Sequence, residues 1–260
     1  MGKLTILSTG AGGTEYLTTE ARRALDEAEA VVAYTKYAKE LTHLIEGKTL
    51  YTSGMTKEIE RCQLAIDQAR AGHTTCIVSN GDVNVFGMAT LIVELIDAQN
   101  LWEAIELESI AGVTAFLATA SRVGAPVSQD FAVISLSDRL TDIDLIDKRI
   151  ALTLEADLVL GIYNPRSKKR IQPYLNFLSR LDEVEERIAV IASNVGRPKE
   201  HITITTTRDL IAQGLEHPDI TMSTLIIVGN TTTRLTSNGQ VLTPRGYLNK
   251  YELSGDLKDR

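Results

Sequence analysis

The chain has 260 residues, and its composition, 43% hydrophobic and 23% charged, is typical of a globular protein with a large core. Its formal net charge of −7 argues against general nucleic-acid binding, which requires an extended basic surface. No apolar run reaches the length of a membrane span. The N-terminal residues also lack the apolar stretch of a signal peptide, so we expect a cytoplasmic protein.

Strand-like and helix-like patterns alternate through about the first 120 residues. Short apolar strands are predicted at residues 4–7, 30–33, 75–78 and 103–107. Helices are predicted at residues 19–29, 58–71, 86–98 and 113–123. Thr56 is expected to cap the second of these helices. A series of this kind predicts a mostly parallel sheet covered by helices.

The pattern changes after Gly124-Ala125-Pro126. Strands are predicted at residues 131–136, 158–162, 187–192, 202–204 and 225–228. A helix is expected to start at Thr141-x-x-Asp144, which has a capping-box signature. The threonine-rich residues 203–207 and 231–233 favour antiparallel or edge strands. We therefore predict two α/β domains, residues 1–115 and 116–260, the second with more mixed strand directions.

Metal and nucleophile chemistry have little support in the sequence. The two cysteines form no CxxC motif, and no cysteine or histidine pair has the spacing of metal ligands, so no metal site is predicted. Cys62 and Cys76 are expected to be buried thiols in a reducing compartment. The histidines follow no Ser-His-Asp order, and we expect isolated surface or core positions for His43, His73, His201 and His217.

Three loops of the first predicted domain carry residues that are unusual for plain turns. In the first, Gly10-Ala11-Gly12-Gly13, glycine allows close approach of the backbone to a ligand. The loop does not complete the dinucleotide fingerprint, and no acidic residue ends the second strand, so a nicotinamide cofactor is poorly supported. In the second, residues 79–87, Asp82 is either a ligand-binding carboxylate or an Asx turn and helix cap. In the third, residues 111–115, small residues open a helix and leave backbone N–H groups for a ligand.

A fourth loop, residues 163–170, concentrates cations in an otherwise acidic chain. Four of them fall within five positions after a predicted strand: Arg166, Lys168, Lys169 and Arg170. Ligands of open α/β sheets bind at the carboxyl ends of strands. Pro173 predicts the start of a helix just after these cations. Positive charge there would oppose the helix dipole unless an anion bound both the cations and the helix N-terminus. This favours a polyanion site over the alternative, a solvated basic loop.

Taken together, these loops resemble the tetrapyrrole (corrin/porphyrin) methylase family over about residues 3–247. The family's Gly-x-Gly-Pro-Gly loop corresponds to residues 8–12, its Gly-Asp-Pro loop to residues 81–83, and its Pro-Gly-x-Thr/Ser-Ala element to residues 111–115. Residues 53–61, 131–138 and 163–167 most resemble the precorrin-3B C17-methyltransferase branch of cobalamin synthesis. The family proline is replaced by Ala11, Val83 and Ala111, which is expected to loosen each loop and raise its ordering cost on binding.

The resemblance implies two α/β domains of the tetrapyrrole methylase type with S-adenosylmethionine in the cleft between them, and a homodimer. The implied cofactor contacts are Gly10, Ala11, Asn80, Asp82, Val85, Thr114, Ala115, Asn164 and Gly196. The implied reaction is methylation at C17 of precorrin-3B or cobalt-factor III, with ring contraction.

Such a tetrapyrrole carries many carboxylates, and we expect local cations to bind them. The candidates are Arg166, Lys168, Lys169 and Arg170, with Arg139 and Arg197 as second choices. Asp82 and Asp138 are candidates for the proton transfers of the contraction.

Two other functions stay open at this point. A tetrapyrrole methylase of different regiospecificity would keep the cofactor loops without needing residues 163–170. A tetrapyrrole-binding protein with lapsed catalysis would fit the three missing prolines, and it would bind the macrocycle without methyl transfer.

Overall fold

The computed structural model describes residues 1–258, which divide into two compact units. Unit 1 contains residues 1–118 together with Gly196–Pro198, and unit 2 contains residues 119–195 and the described residues from Lys199 onwards. Three residues from a loop late in the chain therefore belong to the unit built by the N-terminal half.

Unit 1 is built on one five-stranded parallel sheet, which confirms the prediction for this half of the chain. Its strands are β1 (Gly2–Ser8), β2 (Ala30–Tyr34), β3 (Thr49–Ser53), β4 (Thr75–Ser79) and β5 (Ile105–Ile110). Its helices are α1 (Thr19–Glu27), α2 (Thr35–Glu40), α3 (Glu58–Arg70) and α4 (Ala89–Ala98), and α5 (Ala115–Val123) begins in it. The sequence pattern missed β3, a half-exposed edge strand with little apolar character.

The strand order β3-β2-β4-β1-β5 creates a topological switch point between β1 and β4. The chain leaves β1 through α1, which packs on one face of the sheet with Leu7 and Val31. It leaves β4 through α4, which packs on the opposite face with Leu4 and Ile6. Ligands of open α/β sheets bind outside the carboxyl ends of strands at such a point.

Unit 2 contains a second five-stranded sheet of mixed direction, in the order β10-β9-β11-β8-β7. Among the described strands of this sheet only β7 and β8 pair in parallel, as the sequence pattern indicated for a mixed sheet. Helices α6, α7 and α8 share one apolar cluster with this sheet. The elements are β6 (Gly124–Ala125), β7 (Phe131–Ser135), α6 (Ile143–Glu155), β8 (Val159–Tyr163), α7 (Gln172–Asp182), β9 (Ile188–Ser193), β10 (His201–Thr206), α8 (Thr207–Gln213), β11 (Thr224–Val228), β12 (Arg234–Leu235), β13 (Val241–Leu242) and α9 (Tyr247–Lys250).

Two predicted helix caps were wrong by one residue. Lys57 is the N-cap of α3, and Thr56 lies outside the helix with a φ of 65°. The Thr56 backbone N–H instead donates to a carboxylate oxygen of Glu58. At α6 the cap is Asp142, whose side chain accepts from the backbone N–H of Asp144 at 2.8 Å. Neighbouring polar residues compete for the cap position, and the backbone conformation decides between them.

The threonines at 231–233 were wrongly predicted as a strand. They form a turn between β11 and β12. The Asn230 side-chain oxygen organises this turn, since it accepts from the backbone N–H of Thr232 at 3.0 Å and from its hydroxyl at 2.8 Å. Short polar side chains that bond the local backbone favour turns over strands.

We expect both cysteines to be inert in the folded protein. Cys62 of α3 and Cys76 of β4 are buried on opposite faces of the unit 1 sheet, and burial raises the pKa of each thiol to about 12. At pH 8 their thiolate population falls about a thousandfold below that of an ordinary cysteine with a pKa near 8.5. A thiol reagent should therefore label the native protein at least that much more slowly than the denatured protein. Rapid native labelling in Cys62→Ala or Cys76→Ala would contradict this and would identify the face that opens.

Candidate active site

The loops that follow β1 and β4 are joined by backbone hydrogen bonds at the switch point. Gly10 N donates to Gly81 O at 3.1 Å, and Gly81 N donates to Gly10 O at 2.7 Å. Thr9 N extends this contact by donating to Ser79 O at 2.9 Å. The first and second predicted loops therefore form one continuous backbone unit.

Asp82 joins the second loop to the third. Its Oδ1 accepts from Asn84 N at 2.8 Å, and its Oδ2 accepts from Gly112 N at 2.8 Å. The first bond forms an Asx turn, which was one of the two alternatives that the sequence allowed for Asp82. The second is a long-range contact that no local pattern predicts. A role for Asp82 in proton transfer stays a prediction.

Val83, one of the three positions where the family has proline, makes a contact that proline cannot make. Its backbone N–H donates to the buried hydroxyl of Ser8 at 2.9 Å. Proline has no N–H. The sequence predicted a looser loop here, whereas the structure supplies a buried hydrogen bond from the end of β1. Ala11 is also buried, and Ala111 is exposed.

The first loop is packed against Gly196–Pro198. Gly13 N donates to Gly196 O at 2.8 Å. A Cβ at Gly12 would lie 2.2 Å from Gly196 O, so only glycine fits this approach. Gly10 has a φ of 78°, and a Cβ there would lie 2.4 Å from Cβ of Tyr16. These two glycines therefore serve contacts between chain segments, where the sequence suggested an approach to a ligand.

Open space remains beside the joined loops. A Cβ added at Gly81 would meet only Cα of Thr114, at 3.9 Å. Half-buried Asn80 lies next to this position, and Val85 is half-exposed on the same loop. Ala115 is the first residue of α5, where backbone N–H groups lack intrahelical partners. Polar groups around an open, glycine-lined space at the carboxyl edge of the sheet suit a nucleoside-like ligand.

Asn164, the remaining predicted cofactor contact, lies in unit 2. It directly follows β8 and lies in the left-handed region, with a φ of 51°, and its Nδ2 donates to Ser135 Oγ at 3.0 Å. Asparagine is among the few residues that tolerate this conformation. The Asn-Pro turn predicted from sequence therefore starts at a residue fixed by its neighbour β7.

Arg166 differs from the other cations of the 163–170 loop. Its Nε donates to Ile220 O at 2.7 Å, its Nη1 to Leu215 O at 2.5 Å and its Nη2 to His217 O at 3.1 Å. All three guanidinium nitrogens thus bind backbone carbonyls of the segment between α8 and β11. This arrangement indicates that Arg166 orders the loops of unit 2, and its predicted substrate role stays a prediction.

Arg170 has hydrogen-bond donors to spare. Its Nη1 donates to Ser137 Oγ at 2.6 Å, and its Nε lies 3.6 Å from Asp138 Oδ1. Within residues 1–258, Nε and Nη2 are buried and have no hydrogen-bond partner. A buried guanidinium with unused donors is costly unless an anion binds it.

Arg170 lines a cavity of about 350 Å³. The structure thus brings four of the sequence candidates together along this cavity: Asp138, Arg139, Lys169 and Arg170. Lys168 and Lys169 are exposed. The volume is at the lower end of ligand pockets, about 300–1,000 Å³. The remaining lining residues are Ser167, Ile171, Gln172, Pro173 and Met222.

A larger groove of about 840 Å³ lies elsewhere in unit 2 and contains none of the predicted site residues. Arg245 and Asp130 are its charged lining residues. Across residues 1–258 there is no group of three histidine, cysteine or acidic side chains placed to hold a metal ion. No helix in the same range is long and apolar enough to cross a bilayer.

Comparison with known proteins identifies the family. Residues 3–211 match the tetrapyrrole (corrin/porphyrin) methylases. The chain belongs to this family. It is 40% identical over 251 residues to a probable cobalt-factor III C(17)-methyltransferase of Salmonella typhimurium, covering 94% of this chain and 99% of that protein. It is 36% identical over 253 residues to the precorrin-3B C(17)-methyltransferase of a Sinorhizobium species, covering 95% and 97%.

Solved structures of methyltransferases share the fold. The methyltransferase CobJ superposes with a TM-score of 0.85 at 32% identity, covering 94% of this chain and all of that one. A uroporphyrin-III C-methyl transferase from Thermus thermophilus, complexed with S-adenyl homocysteine, gives a TM-score of 0.66 at 21% identity and covers 88% and 97%. The latter likeness shows the fold alone.

Sequence reasoning missed the role of two residues of this candidate site. Ser8 stands at the first position of the Gly-x-Gly-Pro-Gly loop, but that motif does not predict the hydrogen bond that it receives from the second loop. Arg197 was a second-choice substrate cation, but its guanidinium contacts Glu40 and the Ala11 carbonyl of unit 1. Its partners lie 157 and 186 residues away in sequence, beyond the reach of any local signal.

We expect Ser8→Ala to destabilise the protein by about 1–3 kcal/mol, because it leaves the buried Val83 N–H without an acceptor. Urea unfolding measures the change in the free energy of unfolding. Ser223→Ala, at an exposed serine, is the control and should stay within about 0.5 kcal/mol of the wild type. Equal stabilities for the two variants would show that the Ser8 bond does not organise the second loop.

Proposed function

We propose that this chain is an S-adenosylmethionine-dependent methyltransferase of corrin biosynthesis that methylates C17 of precorrin-3B or cobalt-factor III with ring contraction. The observation that supports it most is the match to relatives of that name over nearly the full length of both chains. The 163–170 loop, with a buried arginine that retains unused donors, adds support from the structure.

The proposed cofactor site is the joined set of loops in unit 1. S-adenosylmethionine supplies an electrophilic methyl group on a sulfonium, and the protein's task is to align it with the carbon nucleophile. The residues proposed to hold it there are Gly10, Ala11, Asn80, Asp82, Val85, Thr114, Ala115 and Gly196, and Asn164 stays a predicted contact. Asn80 carries the clearest polar function among them, since its side-chain oxygen is available as an acceptor.

The proposed substrate contacts are the cations of unit 2. Arg170 can give parallel hydrogen bonds to one carboxylate, and exposed Lys168 and Lys169 add charge beside it. In this arrangement Arg166 anchors the 163–170 loop to the segment between α8 and β11 through its three carbonyl contacts. Asp138, whose Oδ1 lies 3.6 Å from Arg170 Nε, lines the same cavity and is the proton-transfer candidate that belongs to this cluster.

A homodimer and a cytoplasmic location are part of the proposal. The two free, buried thiols agree with a reducing compartment. Light scattering during size-exclusion chromatography distinguishes a dimer from a monomer of 28.5 kDa.

The direct test is calorimetric titration with S-adenosylmethionine, followed by methyl-transfer assays on cobalt-containing and metal-free tetrapyrroles. One-site binding and a product methylated at C17 are expected. A product methylated at another carbon would show a different regiospecificity. Macrocycle binding without cofactor binding would show a protein with lapsed catalysis.

We expect Arg170→Gln and Lys169→Gln to weaken tetrapyrrole binding by roughly tenfold or more each, since each removes a charge-assisted contact. Cofactor affinity should not change, because neither residue is among the proposed cofactor contacts. Fluorescence quenching measures tetrapyrrole affinity, and calorimetry measures cofactor affinity. Lys148→Gln, an exposed lysine of α6, is the matched control. Unchanged tetrapyrrole affinity in Arg170→Gln would remove this cluster from the substrate site.

A further inference from the structure

Arg197 forms a bidentate ion pair with Glu40, the last residue of α2. Its Nε donates to Glu40 Oε1 at 2.9 Å, and its Nη2 donates to Glu40 Oε2 at 3.2 Å. The two side chains are 21% and 26% exposed. A partly buried, parallel arginine–carboxylate pair is more directional than an exposed single contact, so each group fixes the other.

The same guanidinium contacts the first loop. Arg197 Nη1 donates to the backbone carbonyl of Ala11 at 3.4 Å. The neighbouring backbone bond from Gly13 N to Gly196 O acts on the same loop. Residues 196–198 thus hold this loop through one side-chain bond and one backbone bond.

Glu40 in turn contacts the second loop. Its Oε2 accepts from Asn80 Nδ2 at 3.4 Å. Because a carboxylate can only accept, it selects the amide orientation in which Nδ2 faces Glu40 and Oδ1 faces away. Among the described residues, none donates a hydrogen bond to Asn80 Oδ1. Through this bond Glu40 leaves Asn80 Oδ1 as an unused acceptor at the carboxyl end of β4.

Glu40 stands on a well-supported helix. The rings of Tyr34 and Tyr37 pack edge to face with centroids 5.2 Å apart. The Arg61 guanidinium lies 5.9 Å from the Tyr34 ring and donates to Ser53 Oγ at 2.8 Å. Aromatic and cation–π contacts of this kind hold the first residues of α2 in place, and they thereby limit the movement of its last residue, Glu40.

We propose that Arg197 and Glu40 are positioning residues for the cofactor, which together set the first loop through Ala11 and aim Asn80 Oδ1 at a donor group of S-adenosylmethionine. Suitable donors are the adenine amino group, the ribose hydroxyls and the ammonium group. The inference rests on the proposed function and goes beyond it, since neither residue is among the proposed cofactor contacts. It also explains why an arginine on a distant loop belongs to unit 1.

Calorimetric titration of the full chain with S-adenosylmethionine tests the proposal. Glu40→Ala and Arg197→Ala should each raise the cofactor Kd roughly tenfold, and the double variant should be little worse than either single one, because the pair acts as a unit. The KM for the cofactor should rise in parallel, with kcat and the KM for the tetrapyrrole nearly unchanged. In an Asn80→Ala background, Glu40→Ala should add less to the Kd than it does in the wild type.

Exchanging the charges of Glu40 and Arg197 distinguishes a role in positioning the cofactor contacts from a role in stabilising the fold alone. Glu40→Arg with Arg197→Glu can re-form the ion pair, so the Tm should recover towards the wild-type value. Cofactor affinity should not recover, because an arginine at position 40 only donates and would turn Asn80 Oδ1 towards itself. Recovery of both together would overturn the proposal.

The matched control is the Arg180–Asp147 pair of unit 2. It has the same bidentate form, with Nε to Oδ1 at 3.0 Å and Nη2 to Oδ2 at 2.5 Å. Asp147→Ala should lower the Tm and leave the cofactor Kd unchanged. An equal loss of cofactor affinity in this control would also overturn the proposal, as would wild-type affinity in Glu40→Ala and Arg197→Ala. Absence of cofactor binding by the wild type would overturn the proposed function as well.

Discussion

The two backbone hydrogen bonds between Gly10 and Gly81 are the contact on which the organisation of unit 1 depends. At the carboxyl edge of a parallel sheet, neighbouring strands end together and their loops lose the ladder that satisfied their N–H and C=O groups. Here the loops satisfy each other. Both residues adopt a positive φ, 78° at Gly10 and 72° at Gly81, which side chains rarely allow, and this explains glycine in both loops. Asp82 and Ser8 then attach the third loop and Val83 to this core of the site.

Unit 2 shows that cations close in sequence can have different physical roles. Arg166 and Arg170 lie four residues apart on one loop. The guanidinium of the first binds backbone carbonyls of the segment before β11, while buried donors of the second are unused within the described chain. A guanidinium that binds carbonyls organises the protein, and one with unused donors is the proposed partner of a substrate carboxylate. The count of positive charges in the loop therefore overstates the number available to a substrate.

The electrostatic character of the two sites matches the proposed chemistry. The loops of unit 1 present an acceptor, Asn80 Oδ1, which suits a cofactor with amino, hydroxyl and ammonium donors. The loop of unit 2 presents cations to a substrate with many carboxylates. An acidic chain with a net charge of −7 thus places local positive charge where the proposed substrate requires it. The Arg197–Glu40 pair belongs to the supporting layer, because it fixes the loops that carry the proposed cofactor contacts.

The sequence by itself determined the fold class, the parallel first sheet, the mixed second sheet and the loops that carry polar residues. These follow from hydrophobic periodicity and turn chemistry, which act over a few residues. Tertiary structure alone decided the contacts of Ser8 with Val83 and of Arg197 with Glu40, and the different roles of Arg166 and Arg170. Each depends on partners between 33 and 157 residues away, brought within hydrogen-bond distance only when the sheets form. Local patterns show which groups can donate or accept, whereas the folded chain decides which of them already have a partner.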